Sequence, residues 1–557
     1  MTTRRALVLV SLAVALASVS PIAQTQTFDV LIRGGQILDG SGNPWTVGDV
    51  GIKGDRIAAV GRLPGADATR VIDATGLVVS PGFIDMHTHS DTALVSDGLA
   101  QSKVRQGVTL EVLGEGTSVA PRDGLTDEPE PGGPVLDWTT FTGYFQRLTK
   151  QGVSVNVASY VSAAQVRRVV MGYTGRAATV AEQEKMKQLV ARSMEEGAIG
   201  LVGRFETGGP EYPDEIIALA KVAASYGGLY ASHTGRQGSQ QEKEYAFAIR
   251  VAQEAKIPVH IFHLKIIDES NWGTIEKFLS QVEAARARGL DVTANQYPYT
   301  AMSHGWANFF PVWAREAGPE KFGAMLQDPA VRERIKKDPE FLLLSKEHGG
   351  WGGIAMARAF RPENQKYVGM RVRDMAKARG DKDPADTVLA LMASENGRIT
   401  GVFHNQSEKD LQIAMKRPWI SFGSDGTALT VDAPGAPHPR NYGTHARVLG
   451  RYVRELNVLT LEDAVRKMTS LPAQILGLHD RGYIREGYAA DIVVFDKATS
   501  DETSSYEKPK GYATGIPYVL VNGVLVIDKG QHTGAKPGRA LLGPGAKAAN
   551  ITGGTGL

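Results

Sequence analysis

The chain of 557 residues contains no cysteine. Disulfides and thiolate metal sites are therefore excluded, and any protein-bound metal has to use histidine and carboxylate. Charge of a single sign is also lacking: 62 lysines and arginines stand against 60 aspartates and glutamates, a formal net charge of +2. No basic patch dominates, so nucleic acid is not an expected partner. Aromatic residues are scarce, at 7%, and internal repeats are not apparent. Beyond the N-terminus no segment reaches the roughly 18 consecutive apolar residues of a membrane-spanning helix. What the chain has in quantity is glycine, 63 residues, which suits many tight passages from strand to loop.

The first 26 residues, "MTTRRALVLVSLAVALASVSPIAQTQ", place Arg4 and Arg5 before an apolar run from Ala6 to Ala17 and then small residues. This is the pattern of an export signal, and "TRRALV" faintly resembles a twin-arginine signal. Pro21 disturbs the simplest cleavage site before Ala23. A periplasmic or secreted protein is expected, with no membrane span once the signal is removed. Residues 27–79 and 481–540 alternate β-prone runs with Gly, Asp and Asn turns. They predict one small β-sandwich domain closed from both ends of the chain. The final "GPGAKAANITGGTGL" is expected to be disordered.

Between these ends, residues 80–480 alternate short apolar strands with helix-like stretches. The strand candidates are "VVSPGFIDMHTH", "GVTLEVLGEG", "VSVNVASYV", "GAIGLVG", "GLYASHT", "PVHIFHLK", "DVTANQYPY" and "WISFGSDG". Repeated strand-then-helix order predicts a parallel sheet, and eight strands predict a (β/α)8 TIM barrel. "GVFHN" is a ninth strand candidate, and residues 302–395 break the rhythm as an inserted subdomain or lid.

In such a barrel the chemistry sits at the C-terminal ends of the strands. The first strand ends in His87-Thr88-His89, two imidazoles on one side of a strand. Other strands end in Glu115, His233, His263 and Asp425. Four imidazoles and two carboxylates suit zinc or a similar divalent ion. Glu115 is notable because it stands between Gly114 and Gly116 after an apolar run, where an unpaired carboxylate is costly. His260 lies three residues before His263 in the same strand, on the other face, and is expected to be packed or paired. His404 is open between a substrate contact and a structural role. His304, His348, His445, His479 and His532 read as ordinary loop or surface histidines.

"PGFIDMHTHSD", "ASHTGRQG", "PVHIFHLK", "NQYPYTA", "FGSDG", "PHPRNYGTHARVLGRYVRE" and "VNGVLVIDKGQHTGAKPGR" resemble the amidohydrolase superfamily. Within it the likeness is to the D-aminoacylase (N-acyl-D-amino-acid deacylase) family, from about residue 28 to 540, and weakest in the insert. The resemblance implies a (β/α)8 barrel with a small β-sandwich and one or two zinc ions. His87, His89 and Asp425 would surround one metal position, and His233 and His263 the second. The family typically has a cysteine within "GNCG" where this chain has Glu115; a carboxylate can bridge two metals through its two oxygens. Asp425 would be the general base and then the general acid, taking a proton from the attacking water and passing it to the leaving amine.

The resemblance also implies that Lys265, Tyr297 and Arg440 hold the α-carboxylate of a small-molecule substrate, with Tyr299 a competitor for Tyr297. The family's usual "THIRDE"-like run is "SHTGRQG" here, so its Arg-Asp-Glu group is missing or displaced to Arg236. The expected activity is a metal-dependent amide hydrolase that removes the acyl group from N-acyl-D-amino acids. The alternatives are a dipeptidase or cyclic-amide hydrolase of the same superfamily and, from another class, a non-catalytic periplasmic binding protein. Whether the chain works alone or as a homo-oligomer is left open by the sequence.

Overall fold

The computed structural model describes residues 27–123, 133–172, 174, 176–203, 213–233, 239–315 and 319–547. The export signal expected over residues 1–26 and the Arg236 segment lie outside the described residues.

The body is parallel α/β. One sheet takes in the strands Ile420–Phe422, Val292–Gln296, Val259–Phe262, Leu229–His233, Gly200–Gly203 and Val161–Ser162, in that spatial order. A second takes in Phe83–Asp85, Val108–Leu113 and Asn156–Ser159. All pairs within the two sheets are parallel. The chain passes from one sheet to the other through Tyr160, between Ser159 and Val161. At the far side a parallel bridge between Thr88 and Gly426 ties the first strand's end to the last strand's end. Strands buried on both faces read as near-continuous apolar runs, as in "VTLEVL", every residue of which is buried.

The intervening helices have local reasons to start where they do. Thr179 and Glu182 form a reciprocal capping box at the head of Val180–Glu195, satisfying two otherwise orphaned donors. The Thr140 hydroxyl accepts from the amide of Gly143 at the head of Phe141–Gln151. Their apolar faces meet the strands in one large core that includes Phe141, Tyr144, Met186, Val190, Leu219, Val251 and Leu279.

Both ends of the chain build a nine-stranded sheet. Its central strand, Thr27–Ile37, is shared: its first half pairs in parallel with Asp67–Asp73, and its second half with Val78–Pro81. From Val78–Pro81 the sheet continues antiparallel into Ile492–Phe495 and Tyr518–Val521. The fork shares a core of Ile32, Val50, Ile57, Ile72, Val79, Ile492 and Leu520.

"GVFHN" is not a strand of the parallel body. Thr400–His404 is the middle strand of a separate antiparallel sheet, between Ala301–Gly305 and Ile354–Arg358. That sheet and the helices from Val312 to Ser394 have their own core of Trp306, Phe310, Phe341, Leu389 and Phe403. Length and apolarity alone do not separate a strand of an insert from a strand of the parent sheet. Part of the expected disordered tail is also ordered: residues 543–547 pack on the body, with the Gly543 amide on Gly197 O and the Lys547 amide on Glu195 O. Among the described residues no helix is long and apolar enough to cross a membrane.

Candidate metal centre and active site

The C-terminal ends of five parallel strands deliver side chains to one place. Gly114 is needed for this: its φ is +108°, and a Cβ there would stand 2.5 Å from the carbonyl oxygen of Tyr160. The chain therefore turns hard against its neighbour and aims Glu115 inward. Two metal-competent residues sit on left-handed backbone, His263 at φ 35° and Asp425 at φ 49°. Such conformations are strained and persist only where the surroundings hold them. The His263 amide donates to Asn295 Oδ1 at 2.8 Å, and the Asp425 amide to His87 O at 2.8 Å.

Glu115 spans the cluster. Its Oε1 lies 2.7 Å from His233 Nδ1, and its Oε2 lies 3.3 Å from His89 Nε2 and 3.8 Å from His87 Nε2. Asp425 Oδ1 is 2.9 Å from His89 Nε2 and 3.7 Å from His87 Nε2. His263 Nε2 is 3.0 Å from His233 Nδ1. Three overlapping triads result: His87 with His263 and Asp425, His87 with His89 and Glu115, and Glu115 with His233 and His263. Within each, the ligand atoms lie no more than 4.8 Å apart. The six residues singled out in the sequence as metal-competent are thus brought together.

Their electrostatics fit a cation. Burial pushes the Glu115 carboxyl up, but His233, His87 and His89 hold it well below the ordinary carboxylate range. Burial likewise opposes ionisation of Asp425, and Arg440 with His87 overcomes it. His87 is 1% exposed, yet among the described residues neither of its ring nitrogens has a hydrogen-bond partner, and His263 Nδ1 has none either. Leaving a buried polar group unsatisfied costs about 1–3 kcal/mol. A divalent ion in the cluster would take the lone pair of one His87 nitrogen, and the donor set of histidine nitrogens and carboxylate oxygens suits zinc.

The three residues expected to bind the substrate carboxylate adjoin this cluster. Arg440 Nη1 is 2.8 Å from Asp425 Oδ2, and its guanidinium lies 4.9 Å from the centre of the Tyr297 ring. The Tyr297 hydroxyl accepts from Lys265 Nζ at 3.1 Å and from Gln406 Nε2 at 2.8 Å. Tyr299 is engaged elsewhere: its hydroxyl donates to Glu502 at 2.6 Å, and Arg447 covers its ring.

The other histidines sort as follows. His260 is buried outside the cluster, bonded to Thr293 Oγ1 and Asn295 Nδ2 at 2.9 Å each, and burial pushes its pKa down to about 3. His404 packs against Tyr506, with ring centres 4.5 Å apart. His304 is half-buried beside Asn308, His479 is exposed, and His532 is half-buried with Nε2 on Leu99 O. His348 and His445 correct the sequence reading: His348 lies in a turn and His445 in the helix Arg440–Arg447, and both are wholly buried rather than at the surface. His445 stacks on Phe83, and His348 lies 3.3 Å from Asp268. Polar sequence neighbours hid them, because burial here comes from distant elements.

Sequence reasoning missed Gln406 and Asn295, which support Tyr297 and His263. It also missed Asp85, Glu111 and Lys103, all wholly buried. The available signal was a carboxylate inside an apolar run, "FIDM" and "TLEV", the same cue that drew attention to Glu115.

The pattern of the amidohydrolase family matches residues 70–341 and 356–527. The chain is 35% identical to a D-aminoacylase of Alcaligenes xylosoxydans xylosoxydans, covering 93% of this chain and 98% of that one. A solved D-aminoacylase, studied for one-metal activation and second-metal attenuation at its binuclear centre, superposes with a TM-score of 0.77. It is 33% identical, covering 93% of this chain and 100% of that one. An N-acyl-D-glutamate deacylase from Bordetella bronchiseptica was solved with zinc and a phosphonate mimic of the tetrahedral intermediate. It superposes with a TM-score of 0.78 at 29% identity, again over 93% of this chain and 100% of that one.

Proposed function

This chain belongs to the amidohydrolase family, and from that premise we propose that it is an exported, zinc-dependent deacylase of N-acyl-D-amino acids. The observation that carries the reading is the contact between two sites: Asp425 joins the His89 and Glu115 cluster through one oxygen and Arg440 through the other. The group that moves a proton and the group that fits a carboxylate are thus neighbours, as an N-acyl amino acid requires. The parallel strand order and the bridge from Thr88 to Gly426 support a closed (β/α)8 barrel. The apolar run after Arg4 and Arg5 supports export to the periplasm or medium.

His87, His89, Glu115, His233, His263 and Asp425 are the residues that would hold zinc. The ion supplies a Lewis acid and an acidified water when bound. The protein's own residues do the rest. Arg440 presents a planar fork to the substrate carboxylate, with Lys265 and Tyr297 beside it. A substrate carboxylate competes with Asp425 for that guanidinium. Arg440 and Asp425 stand side by side, the guanidinium for the substrate carboxylate and Asp425 for the proton. Asp425 takes the proton of the attacking water on Oδ1 or Oδ2 and returns it to the leaving amine nitrogen.

The test is hydrolysis of a panel of N-acyl-D and N-acyl-L amino acids, dipeptides and hydantoins by the zinc-loaded protein, with metal content measured. Release of free D-amino acid is expected. Turnover confined to hydantoins or dipeptides overturns the substrate assignment.

A further inference from the structure

The segment that carries Asp425 is neither helix nor regular strand beyond Phe422, yet six successive backbone amides in it are captured. The Ser424 amide donates to Asp85 Oδ1 at 2.7 Å, and the Asp425 amide to His87 O. The Gly426 amide donates to Ser424 Oγ, and the Thr427 amide to Asn441 Oδ1. The Ala428 amide donates to Ser90 Oγ, and the Leu429 amide to Ser102 Oγ. A loop normally leaves such donors to water. Here the partners are buried side chains and strand-end carbonyl groups, and one charged group stands beneath them. Lys103 is 0% exposed. Its Nζ donates to Asp85 Oδ2 at 2.9 Å and to Ser424 Oγ at 2.6 Å. Asp85 in turn accepts from the His87 amide at 3.4 Å.

We propose that Lys103 is a positioning residue for Asp425. Its ammonium neutralises Asp85, so that the Asp85 carboxylate can grip the amides of His87 and Ser424 together. It also orients the Ser424 hydroxyl so that the oxygen lone pair faces the Gly426 amide. The two grips bracket Asp425 and hold it on left-handed backbone, at a fixed distance from the His87–His89 pair. A second brace runs in parallel: Ser90 Oγ takes the Ala428 amide and donates to Glu111 at 2.5 Å. The hydrogen bonds of Lys103 go to Asp85 and Ser424 and to none of the metal-competent or carboxylate-binding side chains, so its effect is on placement and not on binding.

The inference rests on the proposed deacylase reading for its kinetic arm only. Lys103→Met and Ser424→Ala are compared with the wild type in zinc-loaded form. The measurements are kcat, KM, metal content and amide hydrogen exchange of residues 424–429. The expected result for Lys103→Met is a fall in kcat on the order of 10²-fold, the scale of a small misplacement of a reacting group. KM should stay within about twofold, metal should be retained, and exchange across 424–429 should be faster. Ser424→Ala removes one hydroxyl and leaves the Lys103–Asp85 pair, so it tests the same idea if Lys103→Met does not fold; a smaller kcat loss with the same exchange signature is expected. Unchanged exchange and kcat in Ser424→Ala, or a kcat loss that only tracks lost metal, overturns the proposal. If the wild type hydrolyses no amide, the functional reading falls by itself, and the exchange measurement still decides the role of Lys103.

Discussion

Two regions of this molecule bury a histidine and an aspartate on left-handed backbone; burial lowers the pKa of both histidines, but the two aspartates are shifted in opposite directions. At the strand ends they are His263 (φ 35°) and Asp425 (φ 49°); where the insert meets the body they are His348 (φ 60°) and Asp268 (φ 71°). Burial disfavours the charged form in both places. At Asp425 it is overcome by Arg440 and His87, and the carboxyl is held well below its ordinary value. At Asp268 burial prevails, Glu347 adds to it, and the carboxyl is pushed up to about 7, while burial pushes His348 down to about 4. The lesson is that burial alone does not mark a functional carboxylate. The surrounding charges decide whether it is kept ionised for a cation and a proton, or sits close to neutrality as a structural contact.

The sharpest way to break this comparison is Asp425→Asn. It removes the base and keeps an oxygen for the cluster, so metal content should persist while kcat falls by roughly 10²–10⁴-fold; retained turnover would remove Asp425 from the chemistry. Next in size is Glu115→Gln. Loss of the carboxylate that faces both histidine pairs should weaken zinc binding by more than roughly tenfold, since even outer partners are worth that much. Equilibrium dialysis measures it, and undiminished affinity would make Glu115 a spectator. Arg440→Ala should raise KM for carboxylate substrates by about one to two orders of magnitude, the worth of a charged hydrogen bond. An N-acyl-amine lacking the carboxylate should be indifferent to the change.

The smallest effect belongs to the other region and appears in stability. Asp268 has a folded pKa near 7 against an ordinary 3.8, so the folded state binds more protons than the unfolded state between those values. Its contribution is therefore present at acid pH and is lost as pH rises through about 7. Asp268→Asn, which removes that titration, should gain in Tm over the wild type as pH goes from about 5 to 8. A difference in Tm that does not move with pH would show that His348 keeps Asp268 ionised after all.

Much of the site was legible because metal-competent residues at strand ends are rare, and here several coincide. HxH at 87–89 is weak alone; with Glu115, His233, His263 and Asp425 at other strand ends it becomes specific. The parallel α/β body was legible from apolar runs of strand length separated by capped helices, such as the one opened by Thr179 and Glu182. Thr400–His404 was ambiguous because its pairing partners, Ala301–Gly305 and Ile354–Arg358, are set by the insert. His348, His445 and Lys103 were hidden for a related reason. Their surroundings are assembled by residues far away in the chain, as with Lys103 and Ser424, which lie 321 residues apart.

The shared strand Thr27–Ile37 and its neighbour Val78–Pro81 have a consequence for how the molecule comes into being. Val78–Pro81 receives Ile492–Phe495 at its edge, and Arg56 reaches Asp480 across 424 residues of chain. During synthesis, therefore, the early strands wait with an open edge until nearly the whole polypeptide has emerged. Closing so long a loop adds to the time and to the aggregation hazard of the unfinished chain. A chain cut short before Ile492 lacks the edge partner of Val78–Pro81, the strand that leads directly into the one followed by His87 and His89.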